Sequence, residues 1–132
     1  IDSDVLLSSN IRNVSLIPSY FLISKELENL ADNLYHLSEY LDNSTVKFSN
    51  QKELNFIREE IGRAILYFLK EDKSIFVKAG SKSMKQAYSS ILKIKDTVVL
   101  NYLREMLKYL RDIEDEIVNI SFYNNLILEN VL

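Results

Sequence analysis

The stretch Tyr20–Leu41, YFLISKELENLADNLYHLSEYL, places Tyr20, Ile23, Leu27, Leu30, Leu34, Leu37 and Leu41 at alternating spacings of three and four. That period is the apolar stripe of an amphipathic α-helix. A stripe of this length does not stay in water, so the remaining chain is expected to supply its cover. Lys25, Glu28, Asp32 and Glu39 lie on the opposite, solvated face. His36, the sole histidine, falls between Leu34 and Leu37 on the outward side and is not expected to ligate anything.

Working outward, Pro18 disfavours helical geometry in the residue before it, and Ser19 is a suitable N-cap. Residues 1–18 therefore read as an irregular docking arm, with apolar Val5, Leu6 and Ile11 but no sustained period. The first helix is expected over residues 19–43, stopping at Asp42-Asn43-Ser44-Thr45. Asn50 with Glu53 resembles a capping box and opens a second helix over 50–70, whose stripe is Leu54, Ile57, Ile61, Ala64 and Phe68. Gly62 sits inside that helix at a cost of about 1 kcal/mol relative to alanine, which a close helix approach would explain.

After Gly80 the period resumes with Met84, Ala87, Ile91, Ile94 and Val98, then continues one residue out of phase from Val99 through Leu103, Met106, Leu110, Ile113, Ile117 and Ile120. A single helix would wind its stripe around the bundle, whereas a turn at Lys95-Asp96-Thr97 lets two helices fold back. Asp96 is a good N-cap and Thr97–Val99 is β-branched, which favours the turn. Helices over 81–95 and 97–120 follow, and the fold class is all-α: an up-down four-helix bundle over residues 19–132, with a short C-terminal tail, behind the arm.

Composition narrows function by exclusion. The chain has 132 residues, 47% hydrophobic and 27% charged, which suits one domain with one core. A net charge of −3 gives no global basic field for nucleic acid. There is no cysteine, hence no disulfide or thiolate chemistry, and no apolar run reaches the roughly 20 residues of a membrane helix. A start at Ile1 leaves room for a removed targeting peptide. One histidine and two glycines leave no catalytic triad, phosphate loop or metal motif, and no paired acid/base carboxylates stand out. The expectation is no enzyme, no cofactor and no metal.

Two charged clusters remain. Lys78, Lys82, Lys85 and Lys93 lie close to one stripe if the chain is helical across Gly80; this is a solvated face or a docking patch for an acidic protein surface. Asp112, Glu114, Asp115 and Glu116 make the expected end of the last helix acidic, which opposes the helix dipole.

The segment Leu54-Asn55-Phe56-Ile57-Arg58-Glu59-Glu60-Ile61-Gly62 resembles the second-helix motif of the PsbQ family, extrinsic proteins of photosystem II. Cyanobacterial members of that family carry a Trp-x-Phe-Val-Arg-x-x-Ile-like pattern followed by glycine. Phe56, Ile57, Arg58 and Ile61 match by type, while Leu54 stands in place of the tryptophan and a following Gly-Pro is absent. The order of an arm, two long helices, a short third and a tyrosine-containing fourth is also similar, and a composition rich in Ile, Asn, Lys and Ser suits an algal member. The resemblance implies a non-catalytic protein of the chloroplast thylakoid lumen, peripheral on the membrane. It would dock on photosystem II intrinsic and other extrinsic subunits and stabilise the manganese-calcium cluster with its calcium and chloride. Under that reading the contacts fall to Val5, Leu6 and Ile11 of the arm and to Lys78, Lys82, Lys85 and Lys93. Two other classes share the same pattern: an immunity- or antitoxin-type binding bundle, and a sensory bundle that holds a small ligand between helices.

Overall fold

The computed structural model describes residues 3–45, 47–70 and 84–131, with side-chain environments for 16–45, 47–64, 66 and 84–120. Among the described residues the chain is all-α, with no strand. Helix α1 spans Ser3–Asp42, α2 spans Gln51–Lys70, α3 covers 84–91 and α4 spans Thr97–Val131.

The bundle is organised around α4 rather than around the Tyr20–Leu41 stripe. Val99, Leu103, Met106, Leu107, Leu110, Ile113, Ile117 and Ile120 are all buried, a band wide enough for neighbours on two sides. Both α1 and α2 pack on α4, and among the described residues the backbones of α1 and α2 do not closely approach one another. From α1 the core takes Leu16, Ile23, Leu30 and Leu37, one residue every seven. The intervening stripe positions stay in water: Tyr20 is 47% exposed, Leu27 37% and Leu34 48%. Each leucine or isoleucine that is buried contributes about 1.5–3 kcal/mol, so α1 is held by half of its apolar stripe.

The arm expected before Pro18 is replaced by helix. α1 is continuous from Ser3 and carries Pro18 inside it. Proline removes one backbone donor and crowds the preceding turn, a cost of about 3 kcal/mol or more in a helix interior. Packing around it offsets that cost. Leu16 is buried, and Ser19, expected as an N-cap, instead donates its hydroxyl to Glu116 Oε1 at 2.6 Å. At the other end Tyr40 donates to Asp96 Oδ2 at 2.8 Å. Residues 19 and 40 thus meet 116 and 96, so α1 and α4 run antiparallel, as an up-down order requires.

The turn before α4 is present but longer than expected: α3 ends at Ile91 rather than Lys95, and the break runs over residues 92–96. Lys93 and Ile94 donate backbone N–H groups to Ser90 and Ile91, closing α3, and Asp96 Oδ1 accepts from the N–H groups of Val98 at 2.9 Å and Val99 at 3.1 Å. Asp96 therefore caps α4, and the Tyr40 hydroxyl, first, with these backbone donors holds its carboxyl below the ordinary value of 3.8. That contribution is present above about pH 3.8 and fades in acid as the carboxylate takes up its proton. Asp96→Ala should lower the melting temperature at pH 7 and do so less at pH 3, a difference that scanning calorimetry at the two pH values would read.

Three further expectations change. Helix α4 continues to Val131, beyond residue 120, so the Asp112–Glu116 cluster lies mid-helix and not at a C-terminus. A Cβ built on Gly62 meets nothing within 4 Å, so no close approach explains that glycine. Asn50 accepts at its carbonyl from Leu54 N–H, but neither its side chain nor that of Glu53 makes the reciprocal capping-box bond among the described residues.

Candidate functional site

Three features of the described residues carry chemistry. The first is a cleft at the end of the bundle where the α1–α2 and α3–α4 connections meet, of about 770 Å³. Lys47 and Lys52 enter it from the first connection and the start of α2, Lys93 and Lys95 from the second. All four are exposed, and none forms an ion pair among the described residues. Phe48, Ile94 and Val99 supply an apolar base. Glu53 and Asp96 also line the cleft, but Asp96 is engaged by Tyr40 and the α4 cap. Four lysines against two carboxylates leave the cleft locally basic on a net acidic chain.

Of the lysines singled out by sequence, Lys93 sits at this cleft and Lys85 is exposed on α3, while Lys78 and Lys82 fall outside the described residues. The backbone at Val5, Leu6 and Ile11 is helical; their side chains lie outside the described environments. Lys47 and Lys52 were not legible as partners of Lys93 and its neighbour Lys95, because the fold brings together two stretches of chain about forty residues apart.

The second feature is an apolar groove of about 430 Å³ between α1 and α2. Leu27, Ala31 and Leu34 form one wall and Leu54 and Ile61 the other, over a floor of Leu30, Ile57 and Met106. Gln51, Asn55 and Arg58 follow one another along the α2 rim, and Gln51 Nε2 donates to Asn55 Oδ1 at 3.2 Å.

The third is a buried carboxyl pair, contrary to the expectation that none would be found. Glu60 on α2 is fully buried and Glu114 on α4 is 8% exposed. Arg63 Nη1 stands 3.0 Å from Glu60 Oε1 without the alignment of a hydrogen bond. Both Glu60 oxygens and Glu114 Oε1 would lack hydrogen-bond donors if both groups were carboxylates, the Arg63 charge aside. A proton on Glu114 resolves this by donating to Glu60. Burial first, then that hydrogen bond and the Glu60 and Asp115 charges, push Glu114 up to about 8, against the opposing pull of Arg63. A sequence signal existed: Glu114 borders the stripe beside Ile113, four residues after Leu110 and three before Ile117, and Glu60 borders it beside Ile61, three residues after Ile57 and four before Ala64.

Among the described residues no group of three or more His, Cys, Asp or Glu is placed to hold a metal ion, and no helix is long and apolar enough to cross a membrane. No protein-family model, curated protein or solved structure matches this chain. The site geometry therefore carries the functional argument.

Proposed function

We propose that this chain is a non-catalytic docking subunit that attaches to an acidic protein surface through the lysine-lined end of its bundle. The observation that supports it is the convergence of Lys47, Lys52, Lys93 and Lys95 around one cleft without ion pairs of their own. Lysine side chains held together in excess over the carboxylates beside them repel one another. An acidic partner relieves that repulsion and is steered toward the cleft, with a strength that falls as salt screens the charges. The apolar base of Phe48, Ile94 and Val99 gives a docked segment something to exclude water against.

The PsbQ resemblance at Leu54–Gly62 supplies the setting of this reading, the lumenal face of photosystem II. There the bundle acts by contact and occlusion around the manganese-calcium cluster. The test is rebinding to photosystem II membranes stripped of extrinsic proteins by salt. Wild-type chain should rebind saturably at low salt and release as salt rises. Exchange of Lys47, Lys52, Lys93 and Lys95 for glutamine should weaken rebinding about tenfold or more, whereas Lys108→Gln, on the exposed side of α4, should leave it unchanged. Equal rebinding by the fourfold variant would remove the lysine cleft from the docking surface, and no rebinding by wild type would remove the photosystem II setting.

A further inference from the structure

We propose that the groove between α1 and α2 binds a single-chain amphiphile with a carboxylate head, of fatty-acid type. This site shares no lining residue with the lysine cleft, which it adjoins at the start of α2, and does not depend on the docking reading. Its floor residues Leu30, Ile57 and Met106 are already buried by the fold, so the groove exists without an occupant. Its volume of about 430 Å³ falls within the roughly 300–1,000 Å³ of small-ligand sites, which are mostly apolar with a few polar groups that fix orientation. Leu27 and Leu34 stand half in water along the α1 wall, and a chain of methylenes laid against them removes apolar surface on both sides.

Charge selects the head. Among the described residues Arg58 is the one charged side chain lining the groove, it makes no ion pair, and no carboxylate lines the groove with it. Asn55, on the preceding turn of α2, has its carbonyl oxygen occupied by Gln51, which leaves its amide N–H groups as donors on the same rim. A guanidinium and an amide together offer N–H donors with no opposing charge, which suits a carboxylate through charge-assisted hydrogen bonds. An ammonium head would meet Arg58 as a like charge.

Titration of the full chain with cis-parinarate, followed by its fluorescence, tests the assignment. Saturable binding at one site per chain is expected, with displacement by dodecanoate and displacement by dodecylamine at least about tenfold weaker. Arg58→Gln should weaken dodecanoate about tenfold, the loss of one charge-assisted contact, and Leu34→Asp should abolish parinarate binding. Both positions are exposed, so both variants should keep the wild-type helical signal and melting temperature. Absence of parinarate binding, equal displacement by dodecylamine, or binding indifferent to both substitutions overturns the proposal. A dimer by sedimentation that Leu34→Asp dissociates overturns it in favour of a second copy in the groove, and co-sedimentation with phosphatidylglycerol vesicles lost in the same variant overturns it in favour of a bilayer.

Discussion

Replacing Glu114 by glutamine should make this protein more stable at pH 8 and remove most of its loss of stability between pH 5 and 8. In the folded chain Glu114 holds its proton up to about 8, whereas an unfolded chain releases it near the ordinary value of 4.5. Between those values the native state binds more protons than the unfolded state, so the stability gained from this group is full below about pH 4.5 and is lost as pH rises toward 8. Discounted by about half for solvent screening at the wetter end of the pair, the loss is on the order of 2 kcal/mol. Glu26 acts in the same sense, raised first by burial and then by Asp112 across the α1–α4 contact. Glutamine at 114 has nearly the shape of the protonated acid and offers Glu60 an amide donor at every pH. Urea denaturation at pH 5, 6.5 and 8 reads the effect: the wild-type midpoint should fall across the series, and the variant midpoint should fall much less, by the share that Glu26 carries. Parallel pH profiles for the two proteins would show that Glu114 is ionised like any surface carboxylate.

That pair also marks where the sequence stops being readable. The ends of α1 and α2 follow from local signals, namely the polar stop after Leu41 and the period that begins at Leu54. The start of α4 follows from Asp96, whose cap uses only its own neighbours Val98 and Val99. The proline rule at Pro18 is local and what overrides it is not: Leu16 is buried in the core and Ser19 bonds Glu116 of α4, about a hundred residues away along the chain. Likewise, period identifies an apolar face but not its cover. It places Leu27 and Leu30 on one stripe of α1, yet only Leu30 reaches α4, while Leu27 looks across a groove toward α2. The lysine cleft and the pairing of Glu60 with Glu114 are both products of assembly: the stripe hints that each carboxyl is buried, but only the packing of distant segments brings the groups together.

The position of α4 gives the second large effect. Leu110→Ala should destabilise the protein by about 2–5 kcal/mol, while Leu34→Ala, on the stripe from which the fold was first read, should cost no more than about 0.5 kcal/mol. Leu110 is wholly buried on the helix that packs against both α1 and α2, so truncation opens a cavity where the packing has least freedom to collapse. Leu34 is half in water and its methyl groups leave no enclosed void when removed. Because the backbones of α1 and α2 do not approach each other, the cooperativity between them passes through α4. For a domain whose total stability is about 5–15 kcal/mol, the loss at Leu110 is a large fraction of what holds the three helices together. Urea unfolding followed by far-ultraviolet circular dichroism and by tyrosine fluorescence should therefore show a shifted midpoint for Leu110→Ala, and a near-wild-type one for Leu34→Ala. Comparable losses at the two positions would mean that α1, and not α4, is the strut on which the bundle is built.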